Sequence, residues 1–364
     1  MNGALTFPSI MSSFSFNFAK PTDGVNGSTH NNDEERNISK DANELIANLI
    51  DRSVNNTNEC KLVNVPTNTI PPTTHESESI DLQCSYSKMM DSKLHYVIPQ
   101  HKISDDTTDL IPGVYEGGLK VWECSIDLCR YLAQIIYDLD NKSSKKDAVH
   151  MAVSKAIAYS GSTMELGCGH GLPGCLILRE IIRRANDNQE ETQDKSVVIF
   201  SDFNDFVLQH CTIPNCQINL CGKVEQDLAE RSMFVGGDWL SLSHKLSSNK
   251  LPLRIGMQEG EENDRLDLIL AAETTYSLGS CQDTVFLMLR HLKIDCGVGL
   301  VATKRFYFGV GGGTDQFMAA CNKLSMADQG PYSTLRLCVR TIKSYDTGNS
   351  NIRDLLEVRC RKKK

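Results

Sequence analysis

The sequence predicts an α/β fold: a Rossmann-like, mostly parallel sheet of seven strands, covered on both faces by helices and finished by an antiparallel pair. Three observations predict it. A short apolar run ends at three alternating glycines and opens into a helical pattern, Met164-Glu-Leu-Gly-Cys-Gly-His-Gly-Leu-Pro-Gly174. From about residue 110 onward strand and helix patterns alternate, which is the order of a parallel sheet with crossover helices. Polar and acidic residues fall at the ends of successive strand patterns, where open parallel sheets bind their ligands.

The elements follow in order. Leu119 to Leu139 reads as a helix with Leu128, Leu132, Ile135, Ile136 and Leu139 on one face. The first strand runs into the glycine loop, and a helix continues through Ile177, Ile181 and Ile182. A polar loop at 186–194 precedes the second strand, Ser196 to Asp202. Helical spacing resumes over about Asp205 to Leu220, interrupted by Pro214. The third strand is Arg231 to Val235, followed by Gly236-Gly-Asp-Trp239. A loop at about 256–264 leads to a buried fourth strand, Leu266 to Ala272. Val298 to Thr303 is the fifth, a helix lies near Asp315 to Asp328, and Leu335 to Val339 with Leu355 to Arg359 form the closing hairpin.

Residues 1–93 differ in composition. Segments such as 64–75 are rich in Asn, Thr and Pro and bury too little apolar surface to offset chain entropy, so this region is expected to be mostly disordered, and the folded domain to span 94–364. Within it, Leu45, Ile46, Leu49 and Ile50 allow a short amphipathic helix over about 40–51, and Phe14, Phe16 and Phe18 alternate as a strand or an exposed tail. The net charge of −8 gives no support for non-specific nucleic-acid binding. No run of eighteen apolar residues occurs, and neither a membrane span nor a secretory leader is expected. The fourteen cysteines contain no C-x-x-C pair and read as reduced core residues of an intracellular protein, with no metal site. The basic end Arg359 to Lys364 is either a nuclear import signal or a solvated strand end.

Gly167, Gly169 and Gly171 mark a loop that turns tightly and lets backbone approach a ligand at a helix N-terminus. Gly169 to Gly174 also fits the dinucleotide spacing G-x-G-x-x-G. S-adenosylmethionine is favoured over NAD because the glycines begin at the strand end, Glu165 stands two residues before Gly167, and the next strand ends in Asp202. Asp202 can accept from ribose hydroxyls; Glu165 can hold the loop or an amino group. The plainer alternative is that the glycines cap a strand and Asp202 caps the next helix. At the third strand end, Asp238 can accept from an adenine amino group while Trp239 gives an apolar face or is an ordinary core aromatic.

Glu273 is the catalytic candidate, since an acid ending the run Leu-Ile-Leu-Ala-Ala is not there for packing. It would face the incoming nucleophile; otherwise it caps the next helix or pairs with a cation. Tyr276 would close the channel or orient the substrate. His170 is expected to face away from the cofactor.

Two further strings, Asp109 to Cys124 and Phe306-Tyr-Phe-Gly-Val-Gly-Gly-Gly313, together with these loops resemble the histidine protein methyltransferase family from about residue 109 to the C-terminus. The resemblance implies the seven-stranded class I methyltransferase fold and methyl transfer from S-adenosylmethionine to the Nτ nitrogen of a histidine in a large-subunit ribosomal protein. It implies a cofactor pocket lined by Val121, Trp122, Glu123, Cys124, Ser125, Gly167, Asp202, Phe203, Asn204, Gly237, Asp238, Trp239 and Ala272. A monomer working in cytoplasm and nucleus, the nucleolus included, with no membrane or direct nucleic-acid partner, is expected. His170, Pro173 and Ala272 depart from the small polar residue, apolar residue and Ser usual at these places, although Pro173 suits a first helical turn. A lysine methyltransferase of the same fold and a non-catalytic, cofactor-bound escort of a ribosomal protein are the competing readings.

Overall fold

The structure is a computed structural model, and it describes residues 30–56, 59–65, 77–83, 92–99, 111, 114–142, 147–158, 160–188, 196–220, 224–248, 265–346, 348 and 351–364. Its contacts divide the chain into two units, Met1–Asn37 and Ile38–Lys364. The first contributes only the start of helix α1 (His30–Asn55) to the described residues.

Five parallel strands form the centre of the second unit: β4 (Ser162–Leu166), β5 (Val197–Asp202), β6 (Ser232–Gly236), β7 (Leu268–Ala272) and β8 (Val298–Lys304). They are joined by β9 (Leu335–Tyr345) and β10 (Arg353–Lys362), and by a two-residue edge strand, β1 (Lys61–Leu62). The sheet order is β1-β6-β5-β4-β7-β8-β10-β9. The hairpin is antiparallel and inserts β10 between β8 and β9, pairing Leu356 with Val301 on one side and with Thr341 on the other.

The pattern of each central strand explains its burial. Val198 and Phe200 pack to one face and Val197 and Ile199 to the other; Leu268 and Leu270 alternate with Ile269 and Ala271 in the same way. One face is covered by α2 (Glu123–Asp140), α3 (Ala148–Ala156) and α4 (Leu172–Asn188), with residues of α6 (Ile213–Asn219) and α7 (Val224–Arg231). The other is covered by α8 (Trp239–Ser247), α9 (Leu278–His291), α10 (Thr314–Ser325) and the Ile38-onward part of α1. Among the described residues no helix is long and apolar enough to cross a membrane.

The structure corrects the predicted strand count: the main sheet has eight strands, not seven. The extra strand pairs Lys61 with Gly236 and Leu62 with Val235, too short a segment to show a period of two. A separate hairpin, β2 (Ser77–Asp81) with β3 (Lys93–Val97), was also not predicted. Thus α1, β1 and β2 are ordered within the segment expected to be mostly disordered. Ala42, Ile46 and Leu49 are buried, and the helix is longer than the short one predicted. Phe14 to Phe18, most of 64–75 and the loop at 256–264 lie outside the described residues, as does most of the loop at 186–194.

Two helices depart in detail. α2 starts at Glu123 rather than Leu119, because Trp122 is extended and its Nε1 donates to the Gly117 carbonyl at 2.9 Å, folding the preceding residues into a turn. Asp205 to Leu220 is three pieces: α5 (Asp205–Val207), a π-helical turn at Leu208–Thr212 and α6. Pro214, which has no N–H to give, sits in the first turn of α6. The basic C-terminus is strand rather than tail as far as Lys362, with Arg361 Nη1 3.8 Å from Asp295.

Candidate active site

A cavity of about 410 Å³ opens at the carboxyl ends of β4, β5, β6 and β7. This is the switch point of the sheet, since the order runs outward through β5 and β6 on one side of β4 and through β7 and β8 on the other. Its volume falls in the range of small-molecule sites.

The glycine loop forms one wall. Gly167, Gly169 and Gly171 have φ of +54°, +52° and +66°, the left-handed conformation that favours glycine. A Cβ on Gly167 would lie 3.0 Å from the Trp239 ring and 3.1 Å from the Thr274 methyl group. Gly167 and Gly169 line the cavity, whereas Gly171 shapes the loop behind it.

Two buried acids hold this loop. Asp202 accepts the Gly169 amide through Oδ2 at 2.9 Å and the Asn204 amide through Oδ1 at 3.0 Å. Burial pushes its pKa up to about 6, against the pull of these amides. Glu165 accepts the Gly174 amide at 2.8 Å, and burial raises it well above the usual carboxylate range. Of the two roles predicted for Glu165, the structure shows the loop-holding one; it does not line the cavity. The alternative that Asp202 merely caps a helix does not fit, because its bonds fasten the loop and Asn204 is the cap of α5.

The string before α2 supplies the opposite wall. Val121, Trp122 and Ser125 line the cavity, while Glu123 and Cys124 do not. Glu123 lies 3.3 Å from Arg353 Nη1, and Cys124 is buried in the core, because successive helical residues point in different directions. Phe203 lines the cavity, while Asn204 turns away to the Val114 carbonyl at 2.8 Å. Gly237 is packed against Cys60, behind the lining. Asp238 borders the cavity but caps α8, accepting the Leu240 and Ser241 amides at 2.8 and 3.1 Å. Trp239 packs against the core and also lines the cavity. Its Nε1 and Thr274 Oγ1 are buried donors without a hydrogen-bond partner. His170 is among the residues that border the cavity. Its ring is tied down, Nε2 to the Leu119 carbonyl at 3.1 Å and Nδ1 to the Asn215 amide at 3.2 Å, and burial lowers its pKa.

Ala272 and Glu273 close the end of β7. Glu273 has φ of +59°, a strained position for a non-glycine residue and of a kind that clusters at functional sites. Its Oε2 accepts from the Tyr307 hydroxyl at 2.5 Å and lies 3.6 Å from Lys304 Nζ; its Oε1 has no hydrogen-bond partner. It does not cap α9, which Ser277 caps. Tyr276 also lines the cavity and donates to Glu116 Oε2. Burial, with Glu116 beside it, raises the Tyr276 phenol.

Sequence reasoning named neither Glu116 nor Tyr307. Both lie inside the two distinctive strings, which was the available signal, but their partners are 160 and 34 residues away.

A five-stranded parallel centre in the order β6-β5-β4-β7-β8, continued by an antiparallel β10 and β9, is the class I methyltransferase fold, and the cavity sits where that fold holds its glycine loop. No family model matches the chain. It is 32% identical over 255 residues to the histidine protein methyltransferase 1 homolog of Dictyostelium discoideum, and 29% identical over 248 residues to histidine protein methyltransferase 1 of Schizosaccharomyces pombe. The alignments take in 70% and 61% of this chain, and the chain spans only 61% and 62% of the two relatives. Over those spans the chain therefore resembles the histidine protein methyltransferases. Among solved structures it is similar to a TehB-like SAM-dependent methyltransferase from Corynebacterium glutamicum, at 17% identity and a TM-score of 0.31 over 64% of this chain and 97% of that one. It is likewise similar to the O-methyltransferase TomG from Streptomyces achromogenes, at 9% identity and a TM-score of 0.34 over 66% and 91%.

Proposed function

We propose that the protein is an S-adenosylmethionine-dependent protein-histidine N-methyltransferase that modifies the Nτ (Nε2) nitrogen of a histidine in a large-subunit ribosomal protein. The observation that carries the reading is Glu273: a strained, largely buried carboxylate in the lining of the glycine-loop cavity, with one oxygen held by Tyr307 and Lys304, in a chain similar to histidine protein methyltransferases.

The residues present fit such a cofactor. A side chain at Gly167 would crowd Trp239 and Thr274 on a left-handed backbone, and two buried donors, Trp239 Nε1 and Thr274 Oγ1, lack partners beside it. Glu116, Asp202, Asp238, Glu273 and Asp283 line the cavity, an acidic set that complements a sulfonium and an amino group. Asp202 would take the ribose hydroxyls, Asp238 and Trp239 the adenine, and Gly167 and Gly169 the main chain contacts. S-adenosylmethionine, when bound, supplies an electrophilic methyl group. A dinucleotide is disfavoured, because a hairpin stands where a second mononucleotide half would be.

Histidine suits this site. Its reference pKa is about 6.5, so a neutral ring nitrogen is available at pH 7, whereas a lysine at about 10.4 must first lose a proton. Glu273 accepts the Nδ1–H of the target ring, which fixes the tautomer that leaves Nε2 free to attack. It then stabilises the imidazolium and takes up the Nδ1 proton as the ring returns to neutrality. Lys304 beside Glu273 disfavours a charged lysine at the same place. A ribosomal substrate would place the enzyme in the cytoplasm and nucleus.

Calorimetric titration with S-adenosylmethionine and with NAD, followed by label transfer to ribosomal proteins, tests the reading. Binding of the first alone and label in a large-subunit protein is expected; binding of NAD alone, or label only in other proteins, would overturn it.

A further inference from the structure

Tyr307 stands on the loop that follows β8, between two phenylalanines that face outward: Phe306 is 44% and Phe308 86% exposed. Tyr307 alone of the three turns inward, and its hydroxyl donates to Glu273 Oε2 at 2.5 Å. The loop is pinned for this. Gly312 and Gly313 donate to the Tyr276 and Thr275 carbonyls at 3.0 and 2.9 Å, which fastens it to the segment that carries Glu273. Gly313, at φ of +127°, could not carry a side chain, since a Cβ would lie 2.3 Å from the Arg305 carbonyl.

Lys304 completes the arrangement. Its ammonium lies 4.9 Å from the Trp122 ring centre and 5.5 Å from that of Tyr307, with Glu273 Oε2 at 3.6 Å. Cation–π contacts hold it without competing for the carboxylate. One oxygen of Glu273 thus meets a hydroxyl and an ammonium, and the other is buried, with the Cys124 thiol beside the carboxylate. Burial raises the Tyr307 phenol, with Glu273 next in effect, so the hydroxyl keeps its proton and donates throughout the working pH range.

We propose that Tyr307 is a positioning residue that, with Lys304, fixes Oε2 of Glu273 and so sets the orientation of the carboxylate toward the target imidazole. The assignment rests on the methyl-transfer reading above. A carboxylate free to rotate would offer either oxygen in many orientations, and catalysis depends on the one that aligns the ring. Tyr307 acts through Glu273 and touches neither substrate nor cofactor.

The test uses the full chain, labelled S-adenosylmethionine and an undermethylated ribosomal extract, with single-turnover rates for wild type, Tyr307→Phe, Glu273→Gln and the double variant. Loss of one hydrogen bond to a charged group should lower the rate of Tyr307→Phe about tenfold to a hundredfold. Its KM and calorimetric affinity for S-adenosylmethionine, and its melting temperature, should stay near wild type. In the Glu273→Gln background the same change should cost no more than about twofold, because residues that act as one unit are not additive. Full turnover in Tyr307→Phe, an equal loss in both backgrounds, or a loss that follows cofactor affinity would overturn the assignment and leave the proposed activity standing. A wild-type protein that labels no histidine would overturn that activity and the assignment with it.

Discussion

The Gly174 amide, in the first turn of α4, donates to Glu165 Oε2 across 2.8 Å, so a buried carboxylate at the end of β4 sets where the glycine loop ends and the helix begins. Burial is the largest cause of the high pKa of Glu165, and its reference value is 4.5. The folded state therefore keeps a proton that the unfolded chain releases above about pH 4.5. Stability is full below that pH and falls as pH rises toward the folded pKa. Glu165→Gln keeps an acceptor for Gly174 and removes the titration. The difference in melting temperature between variant and wild type should grow in favour of the variant from pH 4.5 to 7; a constant difference would contradict the account.

Asp202 gives a pH dependence of binding. Its pKa near 6 in the free protein means that below pH 6 it is protonated, and a protonated acid is a poorer acceptor for ribose hydroxyls. Affinity for S-adenosylmethionine should be flat above pH 6 and weaken toward about tenfold per pH unit below it. Calorimetry at pH 5, 6 and 7.5 measures this, with Asp202→Asn expected to bind weakly and without the slope.

Arg353 begins β10 and reaches Asp127 of α2 at 2.6 Å, both side chains being almost fully buried. Arg353→Met would strand that carboxylate. The expected cost is about 3–5 kcal/mol, read as a lowered denaturant midpoint with an unchanged slope. A loss below about 1 kcal/mol would show that the pair is a bystander.

Gly171 has no room for a methyl group: a Cβ would meet the Thr212 methyl at 2.5 Å, and φ is +66°. Gly171→Ala should destabilise the fold by about 1–3 kcal/mol. It should also weaken cofactor binding, since Thr212 Oγ1 holds the Gly169 carbonyl at 2.6 Å in the wall of the cavity. Unchanged binding in a folded variant would show that the loop tolerates the shift.

The parts of this molecule written in local sequence were legible. The run into Gly167, the strand ending at Asp202 and the acid after Ala272 each announce themselves within a few residues, and all three meet at one cavity. What depended on distant partners was not legible. Nothing near Tyr276 in the chain shows that its hydroxyl meets Glu116, and nothing near Lys61 shows that it pairs with Gly236. Glu123 and Cys124 were placed at the cofactor because they sit in the same string as Trp122, yet helix geometry sends one to Arg353 and the other into the core. Spacing marked Glu165 correctly as a holder of the loop, but its separation from the cavity follows from burial that only the packed sheet reveals.

Glu273 is the residue on which the functional account turns. Glu273→Gln should retain S-adenosylmethionine affinity, because the side chain's engaged oxygen meets Tyr307 and Lys304, and should lose about tenfold to a hundredfold in turnover. Full turnover with unchanged affinity would remove the carboxylate from the mechanism.

The most direct measurement is mass spectrometry of the residue labelled when the purified protein, S-adenosylmethionine and undermethylated ribosomal extract are incubated together. Nτ-methylhistidine in a large-subunit ribosomal protein is the result expected here; methyl-lysine, or cofactor binding with no labelled residue, would contradict it.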